Sequence, residues 1–425
     1  MDLPRNRQSV LKFARHPLAF GSFLVFTSTL TGNVFAYLYN IFMARMLGPH
    51  DYGSLAATIS LMSLVSVFSG SLTTTVTKFV SIYKGLGETE KIGSLIRGLF
   101  RSFFVLSLSV VLVSWWQRKS LSEFFNLPLP LLVFLVGLMF AISLFQSINL
   151  GAITGLQLFG FLAGTGFLGS FLKFASGLTF VYWGWRLLGA GGAVVFSSAL
   201  VLLFSFVPLR KILFRSRLKE QIDWRAIVLY GLPAAVSLWA VASLTNADVV
   251  LVKKYFPDFE AGIYSFAALV GRVIFFASSS ISSVMFPMVS ERQASGQKYK
   301  HLFYYVLLSV FLISSLLSAF YFAFPVFTLN FFSGFGRSDY LAGAPFVGFL
   351  GLYYLFFSVA NSLVIYFLST HQTLVAAGFP MAAALLQIIF LGLFHQSLIQ
   401  VVMVSLAVVV LLNGSLLVYF LKNER

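Results

Sequence analysis

The sequence predicts an all-α protein that crosses a membrane about twelve times, and three observations indicate this fold class. Of the 425 residues, 59% are hydrophobic and only 10% are charged, whereas soluble domains carry about 25% charged residues. Apolar runs of about 18 residues or more recur along the whole chain, which is the length a helix needs to cross about 30 Å of hydrocarbon. Short polar and basic clusters separate these runs. The chain is therefore almost entirely a membrane domain.

The apolar windows place the predicted membrane helices in order along the chain. In the first half they span about 17–45, 53–83, 93–116, 130–153, 158–183 and 187–208. In the second half they span about 226–253, 260–289, 301–325, 341–368, 371–394 and 397–421. An even number of crossings puts both termini on one side. Lys and Arg are concentrated before residue 16 and in the 210–225 connection, which predicts that this side is the cytoplasm.

The two halves of the chain resemble each other around one segment. The run ARMLGPHDYGSLAA, which begins at Ala44, is echoed 209 residues later by KKYFPDFEAGIYSFAA, and Gly53 corresponds to Gly262. Six helices per half preserve orientation, so the halves would be parallel repeats related by a pseudo-two-fold axis along the membrane normal. We expect an N-terminal lobe at 1–208, a cytoplasmic linker at 209–225 and a C-terminal lobe at 226–425. A binding cavity is expected between the lobes.

Composition excludes several functional classes. The net charge of +16 is spread over short loops as topology determinants, so nucleic-acid binding is not expected. Cysteine is absent and the five histidines are far apart, which argues against thiol catalysis and a metal site. No loop exceeds about 20 residues, too short for the domains of most membrane-embedded polymerases or glycosyltransferases. The sequence therefore predicts a protein that is not an enzyme. The basic 210–225 stretch is either an amphipathic helix on anionic membrane lipids or a solvated linker.

Three segments carry a resemblance to a known family. The runs YNIFMARMLGPHDYGSLAATISL, NADVVLVKKYF and EAGIYSFAALVGRVIFFASSSISSVMFPMVSE resemble the oligosaccharide flippases of the multidrug/oligosaccharidyl-lipid/polysaccharide exporter superfamily. The resemblance implies a V-shaped, MATE-like fold in the cytoplasmic membrane and alternating access. It also implies a polyprenyl-pyrophosphate-linked oligosaccharide as substrate, for cell-surface polysaccharide biosynthesis together with polysaccharide assembly proteins. No cofactor is expected, and coupling to a proton or a sodium ion is left open. A lipid-linked peptidoglycan precursor flippase and a multidrug cation antiporter of the same fold remain alternatives.

Ionisable residues inside predicted helices are the main candidates for function, because a charge in a bilayer is costly unless it is paired or faces water. Lys173 lies near the middle of its helix and is expected either to line the cavity or to pair structurally. Arg272 is expected to contact phosphate or sugar, with Asp248 as its switchable counter-ion or as a coupling site. The alternative is a purely structural Arg272–Asp248 salt bridge. Bases outnumber acids at these depths, which suits an anionic pyrophosphate better than a cation.

The remaining candidates are weaker. Lys78 is expected to reach the cavity or the membrane surface, and Arg45 to receive a pyrophosphate or to anchor a helix end. Asn33 and Asn246 would offer hydrogen bonds to sugar hydroxyls, although small polar residues also pack helices together. Gly231 and Pro233 weaken the helix ladder and form a candidate hinge. Arg97 and Arg101 share a helix face near the inner membrane surface, where snorkelling is the simpler role.

Overall fold

A computed structural model describes residues 17–215, 224–294, 300–334, 338–370 and 372–423. The basic residues before Pro17 and most of the predicted linker, 216–223, lie outside the described residues. Within the described ranges the protein is helical and contains no β-strand.

Fourteen α-helices, numbered α1 to α14, are found in the described residues. They are Pro17–Gly85, Thr89–Trp116, Arg118–Phe124, Pro130–Gly155, Phe159–Phe180, Arg186–Phe206, Arg210–Arg215, Trp224–Tyr255, Asp258–Ala294, Lys300–Ala323, Pro325–Ser333, Ala344–Ser369, Thr373–Leu393 and Leu398–Asn423. A π-helical turn at Val181–Trp185 joins α5 to α6, and a 3₁₀ helix at Ser338–Gly343 precedes α12.

The number of membrane crossings follows from two breaks in long helices. Ten helical stretches of the described chain are long and apolar enough to span a membrane. Two of them, Leu24–Gly85 with 62 residues and Phe159–Phe206 with 48 residues, are each broken once. At about 1.5 Å per residue each of these is long enough to cross the bilayer twice. The chain is thus an all-α, multi-pass membrane protein with about twelve crossings, as the sequence predicts.

Glycine provides both breaks because each needs a positive φ angle. Gly48 has φ 74° and ψ 173°, and Pro49 restarts the helix with its fixed φ and without an N–H to satisfy. Gly184 has φ 89°. Two residues later, Arg186 has φ 40°, an uncommon angle for a residue with a side chain. The first break lies in the segment that is echoed in the second half of the sequence.

The chain folds into two compact units that interleave along the sequence. The described residues of unit 1 lie within Met1–Phe42, Ser69–Trp116 and Gly137–Gly231, and those of unit 2 lie within Met43–Phe68, Gln117–Val136 and Leu232–Arg425. The middle of the broken helix α1 therefore belongs to unit 2 and its two ends to unit 1. The two sequence-defined lobes stay a prediction.

In unit 1, the end of α1 packs along α4 through a regular series of polar contacts. The two Ser69 and Ser143 hydroxyls lie 2.7 Å apart, and Thr77 donates to the Gly151 carbonyl at 3.2 Å. A Cβ atom at Gly151 would lie 2.7 Å from the Thr73 carbonyl oxygen, so glycine allows this close approach. Small hydroxyl side chains and a glycine thus pack these two helices together.

In unit 2, the two echoed segments meet each other directly. A Cβ atom at Gly53 would lie 2.6 Å from the Gly262 nitrogen, and a Cβ atom at Gly262 would collide with the Pro49 carbonyl. Only two glycines allow this backbone contact. Tyr340 also donates to the Ala44 carbonyl at 2.8 Å, so the turn after Gly48 is held by the second half of the chain.

Candidate functional site

Unit 1 contains a cavity of about 500 Å³ between α1, α4, α5 and α6. Lys173 on α5 contributes its side chain to the wall and is the cavity's one charged lining residue among those described. The rest of the wall is made of hydroxyl-bearing, small and apolar side chains, together with Gln146. Lys173 lies in the second half of α5, Phe159–Phe180, and its predicted position at the middle of the membrane stays a prediction.

The Tyr39 ring lies next to the Lys173 ammonium group. The Lys173 Nζ lies 4.9 Å from the centre of the Tyr39 ring, a distance at which a cation is attracted by the aromatic face. Tyr39 is fully buried, and its hydroxyl donates to the Ala190 carbonyl on α6 at 2.7 Å. No carboxylate of the described chain forms an ion pair with Lys173. The aromatic ring stabilises the charge without neutralising it.

Unit 2 contains a second cluster of polar residues, which surrounds Arg272 on α9. Its Nε donates to the Tyr354 hydroxyl at 3.2 Å, and its Nη2 donates to the Thr245 carbonyl and lies 3.5 Å from Asn246 Oδ1. Arg272 is half-buried, whereas Asn246 is 9% exposed. The predicted residues Asn246 and Arg272 are thus brought together, and a tyrosine that the sequence analysis did not single out joins them.

Asp248 is fully buried in the same group but does not bond Arg272 directly. Its Oδ2 accepts a hydrogen bond from the Tyr264 hydroxyl at 2.8 Å. No side-chain donor in the described ranges contacts its Oδ1. The Asp248 and Arg272 charges are close enough to attract each other, yet no ion pair within 4.0 Å joins them. In place of the direct salt bridge weighed from the sequence, Arg272 and Asp248 each bond a different tyrosine, Tyr354 and Tyr264.

The Leu244 carbonyl, one helical turn before Asp248, is a further hydrogen-bond acceptor in unit 2. It accepts hydrogen bonds from the Tyr353 hydroxyl and, at 3.3 Å, from the Gln387 amide. Gln387 is fully buried and also donates to Ser405 at 3.1 Å, while its Oε1 is left without a donor among the described residues. The sequence analysis did not single out Gln387, although a lone amide side chain in an apolar helix is the same kind of signal that identified Asn246.

Arg45 lies at a helix end in unit 2. It donates to the Phe332 carbonyl at 3.1 Å, at the C-terminus of α11. Gly334 ends that helix in the left-handed conformation, and a Cβ atom there would lie 2.6 Å from the Arg45 guanidinium carbon. A cation at a helix C-terminus is favoured by the helix dipole. This geometry agrees with the helix-anchoring alternative for Arg45.

The other predicted residues lie apart from both polar groups. Lys78 and Asn33 are exposed. Arg97 donates to the Leu213 carbonyl at 2.8 Å and so holds α7 against α2. Lys253, near the end of α8, is fully buried and pairs with Asp258.

The candidate hinge residues lie inside a continuous helix. Helix α8 runs from Trp224 to Tyr255 through Gly231 and Pro233, and the division between the compact units falls directly after Gly231. The hinge stays a prediction. In the part of the chain that the structure describes, no group of three His, Asp or Glu side chains could hold a metal ion.

Solved structures with the same fold are transporters and flippases. The lipid II flippase MurJ in an inward closed conformation superposes with a TM-score of 0.75, with 14% identity over 94% of this chain and 87% of that chain. An inward-facing multidrug resistance MATE family transporter of the MOP superfamily gives a TM-score of 0.70, with 15% identity over 91% of this chain and 94% of that chain. At such identities the likeness establishes the fold alone, which is MATE-like.

A relative that is similar in sequence is also a membrane protein. An uncharacterized membrane protein of Methanocaldococcus jannaschii is 22% identical over 292 residues, which cover 64% of this chain and 67% of the relative. The sequence model described as "Polysaccharide biosynthesis protein" matches residues 18–293, from the first helix to the end of α9. The chain is therefore a member of the polysaccharide biosynthesis protein family.

Proposed function

We propose that the protein is a flippase that moves polyprenyl-pyrophosphate-linked oligosaccharides across the cytoplasmic membrane by alternating access. Membership of the polysaccharide biosynthesis family and the fold shared with solved flippases and transporters support transport over catalysis. In this proposal the termini are cytoplasmic, and the two lobes predicted from the sequence, 1–208 and 226–425, move about the hinge at Gly231 and Pro233. Polysaccharide assembly proteins and anionic membrane lipids are the expected partners.

The observation that carries the proposal is the unneutralised charge of Lys173 in a cavity lined by hydroxyl groups. A substrate cation would be repelled there, whereas a phosphate gains a charge-assisted hydrogen bond. The sugar hydroxyls of the same substrate are matched by the polar side chains of the wall. A multidrug cation antiporter would need an acidic group at this place, and the described lining has none.

The buried group of unit 2 is proposed to couple transport to an ion gradient. Asp248 Oδ1 and Gln387 Oε1 are buried oxygens without side-chain donors in the described chain, and such oxygens suit a proton or a sodium ion. Arg272 is held by Tyr354 and Thr245, so its charge chiefly positions the group around Asp248. The substrate phosphate is assigned to Lys173 in preference to Arg272 for this reason.

The second candidate substrate is a lipid-linked peptidoglycan precursor. The solved flippase that shares this fold is named for lipid II. A headgroup of sugar and pyrophosphate would fit the same argument about Lys173.

Transport in proteoliposomes tests the proposal and separates the two substrates. The purified protein is reconstituted with a fluorescent polyprenyl-pyrophosphate oligosaccharide or with fluorescent lipid II, and the fraction reaching the other leaflet is measured by chemical quenching. We expect flipping of the oligosaccharide above that of protein-free liposomes. Flipping of lipid II alone would replace the proposal with the second candidate, and flipping of neither would refute both.

A further inference from the structure

The wall of the unit 1 cavity offers two kinds of hydrogen-bonding group. Thr29, Thr165 and Ser198 donate their hydroxyl hydrogens to carbonyls of their own helices, each at 2.8–2.9 Å. A hydroxyl that has donated its hydrogen keeps its lone pairs and acts toward a ligand as an acceptor. These hydroxyls come from three helices, α1, α5 and α6, so acceptors line more than one side of the cavity.

Donors come from a second set of lining residues. Lys173, Ser170 and Gln146 have no hydrogen-bond partner among the described residues, and all three line the cavity. Ser170 and Lys173 are three residues apart on α5 and therefore share a helix face. Gln146 projects from α4. An ammonium, a hydroxyl and an amide N–H are thus available for an anionic oxygen.

The size of the cavity limits what it holds. A volume of about 500 Å³ lies within the range of about 300–1,000 Å³ typical of sites for drug-sized ligands. Such a space suits a sugar ring with its phosphate and not a long oligosaccharide. Apolar side chains such as Val25, Leu150 and Val201 complete the wall and can pack against the C–H faces of a sugar ring.

The site keeps its positive charge because the residue beside Lys173 is the aromatic Tyr39 and not an acidic residue. At the 209-residue offset of the proposed repeat, the residue that corresponds to Tyr39 is Asp248. In unit 2 this carboxylate attracts the half-buried Arg272, whereas in unit 1 Lys173 lies 4.9 Å from the centre of an aromatic ring. An aromatic ring leaves the net positive charge available to an anion.

We propose that the unit 1 cavity is a sugar-phosphate site in which Lys173, Ser170 and Gln146 bind the phosphate and the internally bonded hydroxyls accept from the sugar. Tyr39 is a positioning residue that holds the Lys173 ammonium toward the ligand. The site takes the phosphate-proximal part of the proposed lipid-linked substrate and, by the same chemistry, a soluble hexose phosphate. The lipid-borne source rests on the proposed function, whereas the soluble one does not.

Binding of glucose 1-phosphate to the purified protein in detergent, measured by calorimetry, tests this site. We expect glucose 1-phosphate to bind more tightly than either glucose or inorganic phosphate alone. Lys173→Gln and Tyr39→Leu should each weaken binding at least tenfold, while Tyr39→Phe, which keeps the ring, should stay close to the wild type. Lys119→Gln, at an exposed lysine on α3, is the matched control and should bind normally.

The outcomes for this site and for the proposed function can be told apart. No binding of glucose 1-phosphate, or equal binding by Lys173→Gln, would overturn the site even if lipid-linked oligosaccharide is flipped. Lys173-dependent binding in a protein that flips no lipid-linked sugar would support the site and reject the function. If both hold, excess glucose 1-phosphate should compete with flipping of the lipid-linked substrate, and absence of competition would reject the lipid-borne source.

Discussion

The contacts of Arg272 predict the loss of stability in the Arg272→Gln variant. The guanidinium bonds the Tyr354 hydroxyl at 3.2 Å and the Thr245 carbonyl, and its charge acts on the fully buried Asp248. Removing one partner of a buried charge pair costs about 3–5 kcal/mol, because the other charge stays buried. Since no ion pair within 4.0 Å joins Arg272 to Asp248, Arg272 is half-buried and Tyr264 still donates to Asp248, we expect no more than the lower end of this range, about 3 kcal/mol.

The Asp248→Asn variant should lose less stability. Its side-chain oxygen can still accept from Tyr264, and Arg272 keeps its bonds to neutral oxygens, so the expected cost is about 1 kcal/mol. In the double variant the attraction between the two charges is lost only once. Its cost should therefore be smaller than the sum of the single costs by about 1–2 kcal/mol.

Unfolding of the three variants and the wild type in mixed detergent micelles measures this coupling. Arg101→Gln, at an exposed arginine on α2, is the control and should stay within about 0.5 kcal/mol of the wild type. Strictly additive costs, or an Arg272→Gln variant as stable as the control, would refute the electrostatic coupling. In liposomes, an Asp248→Asn protein that is folded but no longer responds to a proton or sodium gradient would identify Asp248 as the coupling site.

Three further predictions concern transport, packing and topology. Lys173→Gln should slow flipping at least tenfold in proteoliposomes, because one charge-assisted hydrogen bond contributes about 1.5–3 kcal/mol and a tenfold change is about 1.4 kcal/mol; an unchanged rate would make this charge structural. Gly155→Ala should lower stability in detergent by about 1–3 kcal/mol, because the added methyl group would lie 2.8 Å from the neighbouring helix. Gly160→Ala is the control: its methyl group would meet no atom within 4 Å, so its stability should be unchanged. Cysteines placed singly at Ser216 and Ser338 of this cysteine-free chain should label with impermeant maleimide from opposite faces of the membrane, and labelling from one face would contradict the predicted topology.

Helix number and order could be predicted from hydropathy alone. A membrane leaves the backbone no partner except itself, so each long apolar run becomes a helix. The predicted window of about 130–153 is close to the observed Pro130–Gly155, and the pair 158–183 and 187–208 brackets the break at Gly184. The family also follows from the sequence, because the segments around Gly48 and Asn246 carry the resemblance and the family match covers both.

The roles of the charged residues could not be predicted in the same way. Hydropathy identifies Lys173, Arg272 and Arg45 equally as charges within or at the ends of apolar helices. Their partners come from helices far away in sequence: Arg45 contacts a carbonyl 287 residues later, and Arg272 contacts a tyrosine 82 residues later. Whether a buried charge is satisfied or available depends on those partners, and helix packing alone decides them.

The amino-acid sequence by itself determined that this protein is a multi-pass helical membrane protein, because long apolar runs act locally along the chain. Its family followed from the resemblance of three segments and from the family match over residues 18–293. Tertiary structure decided which polar groups are available for chemistry. It bonded Arg272 and Arg45 to neighbouring groups, placed Asp248 beside Tyr264, and put Lys173 in a cavity where, among the described residues, the Tyr39 ring lies beside its charge. The physical reason is that desolvation and hydrogen bonding depend on the three-dimensional neighbours of a side chain, which no local pattern specifies.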